Sequence, residues 1–460
     1  MGLIGRAVSK ATVWAAGIYY RVERSGAELP EGPVFIVSNH PNMLMDPLLS
    51  LKAAGRRVRI LAKAPLFDIP IFGSVLRSLD TLPLFRPQDD PDQLHRNRLA
   101  FQEAVDALRE GGTLLTFPEG KSHSSPSLAP LKTGVARMVL AAEEESGWRL
   151  GVKVVPIGLV YHRKHRFRSR VVASTGEPIV VAGWRVAYEA DRAAAIRSLN
   201  REIACGLERQ TLNLPAEADR RLVETAELLW ARERGEAGWR EREALKERLP
   251  RLQRFAEQFA WLKVSDPHRW NRLAGSLRSY GQQLKHLGSG DAEVPPRYKP
   301  RHVARYVLRE GARLGVTVPL AALGTAAWYL PYFVSGLACR IMKPEIETVS
   351  TVKLLAGVVT YPATYLGWIG LAAWAGGAAA AALTAVALPP LGIAALHWWG
   401  RHQEVMEDMR VFFQVVRRPS LRDALARQRA ALADELDAVE REFANRDPAD
   451  PNLVSGDTTR

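Results

Sequence analysis

Apolar and polar positions follow two kinds of pattern along this chain. From Gly32 to about Gln210, short apolar runs typical of buried strands alternate with longer segments whose apolar residues recur at helical spacing. The predicted strands are 34–37, 58–63, 81–85, 113–117, 152–159 and 170–174, and the helices between them include 92–110. This alternation predicts an α/β fold over residues 31–213, with a mostly parallel, twisted sheet covered by helices.

The flanking regions have helical patterns of a different composition. Residues 1–30 hold an amphipathic helix, whose apolar side suits either a membrane surface or the α/β domain. Residues 214–300 form a charged, aromatic helical region that ends in a Gly- and Pro-rich linker. Residues 401–460 form a charged helical tail, and the composition after Asp447 predicts a disordered end.

Residues 301–400 are predicted to be a membrane region. The stretches 314–339 and 354–400 contain no Asp, Glu, Lys or Arg, and a spanning helix needs roughly 20 apolar residues. The second stretch is long enough for a hairpin of helices 354–375 and 378–400, with its turn at the glycine pair between them. Prolines within 314–339 favour a bent, interfacial or re-entrant helix, although this stretch is also long enough to cross.

Basic residues at the ends of these stretches predict the orientation. They form three clusters: Arg305, Arg309 and Arg313; Arg340, Lys343 and Lys353; Arg401 and Arg410. Lys and Arg concentrate on the cytoplasmic side of membrane segments, and all three clusters share that side only if 314–339 does not cross. We therefore expect a multi-pass protein of the inner, cytoplasmic membrane, with two spans and with its α/β domain and tail in the cytoplasm.

The net charge of the chain limits the classes of partner that it is expected to bind. A formal net charge of +14 favours an acidic partner, such as nucleic acid, a membrane surface or a phosphorylated substrate. The apolar stretches favour membrane lipids, and no motif for nucleic-acid recognition is present. Cys205 and Cys339 are the only cysteines, too few and too separated for a disulfide framework or a zinc site, so no metal is expected.

The first candidate for chemistry is the loop that follows strand 34–37. It contains His40 and Asp46, and it belongs at the carboxyl edge of the sheet, where open α/β sheets bind ligands. A histidine with a nearby carboxylate is the arrangement of a general base and its orienting partner. Alternatively, Asp46 caps a helix that begins at Pro47 and His40 only fills the turn. The two interpretations are compatible, because a capping carboxylate has a second oxygen.

Three later stretches end or interrupt predicted strands with unusual residues. Arg86 ends strand 81–85 with a cation that suits either a phosphate or solvent. The stretch 117–122, Phe-Pro-Glu-Gly-Lys-Ser, presents a carboxylate, an amine and a hydroxyl at the same edge of the sheet. In the stretch 155–158, Val-Pro-Ile-Gly, Pro and Gly interrupt a predicted strand. Such a break suits a bulge or a close backbone approach to a ligand, with a backbone N–H donated to an oxyanion.

Taken in order, these blocks resemble the motifs of the glycerolipid acyltransferase family, which includes lysophosphatidate and glycerol-3-phosphate acyltransferases. The resemblance covers roughly residues 30–180 and rests on Asn39-His40, Phe85-Arg86, Phe117 to Gly120 with Ser122, and Val155 to Gly158. The family has four residues between the histidine and the aspartate, whereas this chain has five. We expect the loop to bulge by one residue and Asp46 to remain the partner of His40.

The resemblance implies acyl transfer from acyl-CoA or acyl carrier protein, without a further cofactor, to a hydroxyl of a phospholipid precursor. The expected acceptor is 1-acyl-sn-glycerol 3-phosphate, with glycerol 3-phosphate or dihydroxyacetone phosphate as the alternative. His40 is then the base and Asp46 its orienting partner. The implied substrate-binding residues are Asn39, Arg86, Glu119, Gly120, Lys121, Ser122 and Lys132, while Pro156 and Gly158 serve either the oxyanion or the structure.

Two other classes of protein are weighed against an acyltransferase. A non-catalytic lipid-binding or membrane-shaping protein is compatible with the long helical regions and the altered spacing before Asp46. A serine hydrolase is not supported, because no Gly-x-Ser-x-Gly sequence follows a predicted strand. The oligomeric state is not predictable from these patterns.

Overall fold

The computed structural model describes residues 3–69, 72–85, 97–235, 243–286, 300–416 and 419–446. They belong to two compact units. The first unit comprises residues 1–215, 244–249 and 334–359, and the second comprises residues 216–243, 250–333 and 360–460. The boundary between the two units therefore does not coincide with the domain boundary at residue 301 that composition suggests.

The first unit contains the sheet. Its strands are β1 (Arg21–Gly26), β2 (Val34–Ser38), β3 (Arg59–Lys63), β4 (Leu82–Leu84), β5 (Thr113–Thr116), β6 (Lys153–Tyr161), β7 (Arg170–Thr175) and β8 (Ile179–Val180). Their order across the sheet is β1-β7-β6-β2-β5-β3-β4, and β8 pairs with β6. All pairs are parallel except β6 with β7 and β6 with β8, so the predicted mostly parallel sheet is confirmed.

Helices cover both faces of this sheet. The α-helices that lie wholly within the first unit are α1 (Leu3–Tyr19), α2 (Met45–Ala54), α3 (Phe72–Ser78), α4 (Asn97–Arg109), α5 (Gly134–Glu145), α6 (Arg185–Ala190) and α7 (Arg192–Glu208). Strand β2 is buried on both faces. Its residues Val34 and Ile36 belong to the core cluster under α1 and α2. Phe35 and Val37 belong to the cluster under α4, α5 and α7. A parallel strand buried on both faces has no polar alternation.

Two strands were not predicted. Strand β1 reads Arg-Val-Glu-Arg-Ser-Gly and is only partly buried, so it lacks the apolar run by which the other strands are predicted. It was assigned to the N-terminal helical region, but α1 ends at Tyr19. Strand β8 has only two residues. Helix α1 packs on the α/β core through Ala16 and Tyr19, and Tyr20 directly after it is also buried; all three are at most 6% exposed.

The second unit contains α8 (Glu217–Glu233), most of α9 (Leu245–Ser265), α10 (Pro267–His286), α11 (Pro300–Ala327) and α14 (Pro419–Ala444), with parts of α12 (Tyr329–Met342) and α13 (Val349–Val416). Helices α8, α9, α10 and α14 pack through aromatic pairs such as Trp230 with Phe255 and Trp261 with Phe443. The linker predicted at the end of region 214–300 and the chain end after Asp447 lie outside the described residues.

The membrane-type helices α11 to α13 have two breaks. Helices α11 and α12 are bent by 58° relative to each other. Helix α13 is interrupted at Gly377, whose φ of 73° and ψ of −168° suit glycine almost alone. The Tyr365 hydroxyl donates to the Ala385 carbonyl at 2.9 Å, although residues twenty apart in a straight helix lie about 30 Å apart. The chain therefore folds back at the predicted glycine turn.

Helix α11 lies along the returning arm of this hairpin. The indole N–H of Trp398 donates to the Leu314 carbonyl at 3.0 Å, and that of Trp328 donates to the Leu388 carbonyl at 3.1 Å. By length and composition, residues 349–403 form one helix apolar enough to cross a membrane, and the bent α11–α12 pair qualifies as a second candidate if it is counted as one span. Only 11% of the most apolar stretch of 349–403 is buried.

Candidate active site

The site lies where two neighbouring parallel strands end. Val37 of β2 pairs with Thr116 of β5, so the loops that follow the two strands emerge side by side from the carboxyl edge of the sheet. The first loop carries His40 and Asp46. The second loop carries the Phe-Pro-Glu-Gly-Lys-Ser stretch, residues 117–122.

His40 and Asp46 are in direct contact in spite of their unusual spacing. The Nδ1 atom of His40 lies 2.9 Å from Oδ2 of Asp46, and the side chains are 19% and 0% exposed. Within the loop that joins them, Met43 has a left-handed conformation with a φ of 39°. Because Nδ1 contacts Asp46, Nε2 is the ring nitrogen that does not face the carboxylate. The imidazole also stacks on the Phe117 ring, at 4.2 Å between centroids.

Asp46 does not cap helix α2. The helix begins at Met45 with Leu44 at the N-cap position, where no side chain makes a capping hydrogen bond, so the predicted cap at Asp46 and start at Pro47 are wrong. The Asp46 side chain instead turns back into the loop, where its Oδ2 accepts the Asn42 N–H at 2.6 Å. The helix starts earlier because Met45 and Asp46 already donate to carbonyls of the loop.

A buried tyrosine completes the surroundings of Asp46. The Tyr161 hydroxyl, at the end of β6, donates to Oδ1 of Asp46 at 2.6 Å. Burial raises the pKa of Tyr161 well above its usual value, and the Asp46 carboxylate raises it further. The phenol therefore remains a hydrogen-bond donor, and Asp46 accepts from three groups.

Asn42 extends this network away from the sheet edge. Its side-chain N–H donates to the Tyr20 hydroxyl at 2.8 Å, and the Tyr20 hydroxyl donates to the Lys164 carbonyl. Asn42 and Tyr20 are fully buried. Burial is also the largest reason why the pKa of Tyr20 is raised.

Glu119, in the second loop, is the other buried carboxylate of the site. Its Oε1 accepts the backbone N–H of His40 at 2.8 Å, and its Oε2 accepts the backbone N–H of Ala129 at 2.8 Å. The same Oε2 contacts Nε2 of His123, a residue that lies just outside the Phe-Pro-Glu-Gly-Lys-Ser stretch. Nδ1 of His123 is buried and has no hydrogen-bond partner among the described residues.

The other residues expected from the second loop lie around Glu119. Gly120 has a φ of 74°, which explains glycine at this turn. The Ser122 hydroxyl accepts the Met43 N–H at 3.1 Å and thereby ties the two loops together. The Lys132 N–H donates to the Pro118 carbonyl at 2.8 Å, while the side chains of Lys121 and Lys132 are exposed.

The side chain of Asn39 forms hydrogen bonds with the sheet. Its amide N–H donates to the Leu159 carbonyl at 3.0 Å, and its amide oxygen accepts the Leu159 N–H at 2.7 Å. Both polar groups of the side chain are thus engaged by β6. These two bonds tie the first loop to β6.

Pro156 and Gly158 lie inside a continuous strand, so the bulge expected here is wrong. Strand β6 pairs with β2 on one side and β7 on the other. A Cβ at Gly158 would lie 2.1 Å from the Gln210 carbonyl oxygen, so the close backbone approach is to the protein's own chain. Of the two roles weighed for these residues, the structural one fits this geometry. Arg86 lies outside the described residues.

The residues that sequence reasoning missed have no local signal. Tyr161 and Asp46 are 115 positions apart, and Tyr20 was assigned to an amphipathic helix. His123 is the exception, because it follows Ser122 directly and the Phe-Pro-Glu-Gly block drew attention only to the residues before it. A search for a titratable residue four positions after Glu119 would have found it.

Several known proteins are similar in sequence to the part of the chain that contains the site. Residues 21–160 match the family described as Acyltransferase. Glycerol-3-phosphate O-acyltransferase 2 of Saccharomyces cerevisiae is 33% identical over 204 residues, covering 43% of this chain and 26% of that protein. The chloroplastic 1-acyl-sn-glycerol-3-phosphate acyltransferase BAT2 of Brassica napus is 30% identical over 158 residues, covering 33% of this chain and 41% of that protein.

Among solved structures, the 1-acyl-sn-glycerophosphate acyltransferase PlsC of Thermotoga maritima is 20% identical, with a TM-score of 0.34, over 45% of this chain and 79% of that one. The chain spans less than half the length of the two curated relatives named above. The family match contains the Asn-His, Phe-Pro-Glu-Gly and Val-Pro-Ile-Gly blocks whose geometry is described above. The predicted resemblance is thereby confirmed, with a match to the Acyltransferase family over residues 21–160.

Proposed function

We propose that this chain transfers a fatty acyl group from an acyl thioester to a hydroxyl of a glycerol phosphate. The observation that carries the proposal is the contact of 2.9 Å between His40 and Asp46. Both side chains lie at the sheet edge, beside the Phe-Pro-Glu-Gly loop of a domain in the Acyltransferase family. The thioester donor is acyl-CoA or acyl carrier protein.

In this mechanism His40 acts as a general base through Nε2. Asp46 accepts from Nδ1–H, which keeps the neutral imidazole in the tautomer whose Nε2 lone pair is available. As the acceptor oxygen attacks the thioester carbonyl, its proton moves to Nε2. The buried Asp46 carboxylate stabilises the imidazolium that forms. Such help is worth about 10²–10⁴ in rate.

The second half of the reaction returns the proton. The tetrahedral intermediate collapses, the carbon–sulfur bond breaks, and the thiolate takes the proton from imidazolium Nε2. An ester and a free thiol leave, so His40 is regenerated without a covalent enzyme intermediate. Positioning of the two substrates supplies the remaining acceleration.

The acceptor carries a glycerol phosphate, either free or already acylated at its first position. The yeast relative, at 33% identity, is named for glycerol 3-phosphate and the plant relative, at 30% identity, for its 1-acyl derivative. The cations proposed for the phosphate are Arg86, Lys121 and Lys132. Arg86→Ala should raise the acceptor KM far more than the donor KM, and Arg86→Lys should restore only part of the loss.

The test uses full-length protein purified in detergent, labelled acyl-CoA or acyl carrier protein, and a panel of acceptors. We expect labelled product with glycerol 3-phosphate or 1-acyl-sn-glycerol 3-phosphate, and little with lysophospholipids that lack a free phosphate monoester. His40→Ala, checked for an unchanged melting temperature, is the matched inactive control. No product with either donor and any acceptor would favour the non-catalytic lipid-binding alternative.

We further propose that the hairpin crosses the membrane twice and that the domain and tail face the cytoplasm. Supporting this, the chain reverses at Gly377, and basic clusters stand at both open ends of the hairpin. Leu354 is only 6% exposed and belongs to the core cluster of the first unit, which extends to residue 359, so the first crossing begins after residue 359. Residues 360–376 remain for that crossing, near the lower end of the roughly 17–25 residues required.

Single cysteines test this topology after Cys205 and Cys339 are replaced by serine. With an impermeant thiol reagent on sealed cells, Ala378→Cys at the turn should react, whereas Ile346→Cys and Ala430→Cys should react only after permeabilisation. Position 346 is 46% exposed, so its protection would not come from burial. Labelling of position 346 in sealed cells would exclude the two-span arrangement.

A further inference from the structure

The segment between α12 and α13 belongs to the same compact unit as the site, although it lies about three hundred residues after His40. We call residues 343–355 the junction segment. It ends in the first turns of α13, the helix that continues into the apolar hairpin. Its polar side chains contact the two loops of the site.

Ser350 reaches the surroundings of Asp46 through one residue. Its hydroxyl donates to Oδ1 of Asn42 at 2.5 Å, and the Asn42 N–H donates to Oδ2 of Asp46 at 2.6 Å. Ser350, Asn42 and Asp46 are all fully buried. Two hydrogen bonds therefore connect the start of α13 with the carboxylate that faces His40.

Thr351 holds the same loop at a second point. Its hydroxyl accepts the Leu44 N–H at 3.3 Å. Leu44 follows Met43, a non-glycine residue in a left-handed conformation. The junction segment thus binds the residues on both sides of this left-handed position, Asn42 and Leu44. A strained conformation of this kind persists only where its surroundings fix it.

The junction segment is itself anchored to the first unit. Glu347 accepts from the Ser124 hydroxyl at 2.5 Å, and the Lys353 ammonium donates to the His165 carbonyl at 3.2 Å. Leu354 is buried in the core cluster that contains Leu44 and Met45. A buried hydroxyl without a partner costs free energy, so Ser350 and Thr351 are held where their partners are.

We propose that Ser350 and Thr351 are positioning residues of the active site, which fix the loop that presents His40 and Asp46. The inference rests on the proposed role of His40 as the base. One turn of α13 then belongs both to the wall of the site and to the helix that enters the hairpin. Residues 334–355 are accordingly part of the catalytic unit and are needed for an ordered His40–Asp46 pair.

The test compares Ser350→Ala and Thr351→Val in the full-length protein. Loss of one hydrogen bond of this type corresponds to about a 5- to 30-fold change, and we expect a decrease of that size in kcat, with the KM for both substrates within about twofold. Thr351→Ser keeps the hydroxyl and should restore kcat. The matched controls are Ser265→Ala and Thr317→Val, whose hydroxyls bond only within their own helices in the described structure.

A second readout does not require activity. Diethyl pyrocarbonate modifies neutral imidazole. The rate of modification at His40, located by peptide mass spectrometry, is therefore measured against pH, and the midpoint of this profile is compared between variants. Four titratable residues contact His40 or its neighbour. The Asp46 carboxylate contacts Nδ1 of His40, and the Glu119 carboxylate accepts the His40 backbone N–H. The His123 backbone N–H donates to the His40 carbonyl, and the Lys164 ammonium donates to the Pro41 carbonyl. A misaligned Asp46 stabilises the imidazolium less, so Ser350→Ala and Thr351→Val should move the midpoint to lower pH.

The outcomes separate this inference from the proposed function. A lowered His40 midpoint in both variants, but not in the two controls, supports the positioning role even if the parent protein acylates no tested acceptor. An unchanged midpoint in both variants overturns it. A loss of kcat that is equal at every pH, with an unchanged midpoint, reports only a loss of folded protein and also overturns it.

Discussion

The loop after β2 and the loop after β5 each place one buried carboxylate at the site, and the two carboxylates differ in what they hold. Asp46 accepts from the His40 ring, the Tyr161 hydroxyl and the Asn42 N–H. Glu119 accepts from the backbone of His40 and of Ala129 and contacts His123. Asp46 therefore acts on the imidazole, and Glu119 acts on the chain that carries it.

This difference predicts different failures. A change at Asp46 alters the orientation and proton affinity of His40 while the loops keep their places. A change at Glu119 leaves a buried backbone N–H without its acceptor and shifts the two loops relative to each other. The first defect is chemical and the second is structural, so kinetics and stability should separate them.

The largest effect is expected at His40 itself. His40→Ala removes the proposed proton acceptor, so kcat should fall by about 10²–10⁴, measured at saturating concentrations of both substrates. His268→Ala, an exposed histidine on α10, is the matched control and should retain full activity. Retention of more than about a tenth of the parent kcat by His40→Ala would mean that another group takes the proton.

Asp46→Asn should have the next largest effect. The amide oxygen can still accept from His40 and Asn42, and the Tyr161 hydroxyl can turn to accept from the amide, so the fold is expected to persist. The lost charge no longer stabilises the imidazolium that forms during the reaction, so kcat should fall by about 10²-fold. The pH–rate profile checks this, because its acid limb should move to lower pH.

Asp106→Asn provides the reference for that measurement, since Asp106 is an exposed carboxylate whose side chain is 53% exposed. Its profile should coincide with the parent profile. If Asp46→Asn also leaves the acid limb in place, the Asp46 charge does not set the proton affinity of His40, and the comparison of the two loops fails at its first step.

How much of these loops is predictable from sequence depends on the distance between the partners. His40 and Asp46 are six positions apart and were predicted as a pair, because one loop must bring them together. Asn42 and Ser350 are 308 positions apart, and neither has a distinctive neighbourhood. Their contact depends on where α13 starts relative to the sheet, which no local pattern specifies.

Burial likewise explains which secondary-structure elements are predictable from the sequence. Strand β2 is apolar because both of its faces are buried, so its sequence alone identifies it. Strand β1 pairs with β7 through its backbone and carries Arg21, Glu23 and Arg24 on a partly exposed edge, so its composition resembles a surface segment. The glycine turn at Gly377 was predicted, since a long apolar run with one glycine pair has few places to reverse.

Glu119→Gln should mainly reduce stability. Each Glu119 oxygen accepts a backbone N–H, so in either orientation of a glutamine its NH₂ group faces one of them as a second donor. We expect a loss of about 1–3 kcal/mol in the free energy of unfolding, and about a tenfold rise in acceptor KM if this loop also shapes the acceptor site. Thermal unfolding and acceptor titration measure the two effects.

The control for this variant is Glu145→Gln, whose carboxylate is on the surface beside Arg109. It should leave both the melting temperature and the acceptor KM unchanged. A Glu119→Gln protein of normal stability whose kcat alone is reduced would place Glu119 with Asp46 in the chemistry, and the structural role assigned to it would be wrong.

The smallest effect on activity is expected from Tyr161→Phe, which removes one donor from Asp46 but leaves His40 and Asn42 in contact with it. Activity should fall only a few-fold, about 1 kcal/mol in transition-state free energy. Its effect on alkaline stability is more informative. In the unfolded chain a tyrosine ionises near its ordinary pKa of 10.0, whereas burial raises the pKa of Tyr161 in the fold.

The raised pKa sets the direction of the pH dependence. The stabilising contribution of neutral Tyr161 is complete below about pH 10 and is lost as the pH rises from there toward the folded pKa, because only the unfolded chain releases the proton in that range. Each such tyrosine contributes a slope of up to about 1.4 kcal/mol per pH unit. Tyr20, whose pKa burial also raises, adds a second contribution of the same kind to this pH dependence of the unfolding free energy.

Urea unfolding at about pH 9 and about pH 11 tests this. The decrease in unfolding free energy between the two pH values should be smaller in Tyr161→Phe than in the parent protein. Tyr329→Phe changes an exposed tyrosine on α12 and should match the parent. Equal decreases in all three proteins would mean that the Tyr161 phenol is not held neutral against Asp46 in the folded state.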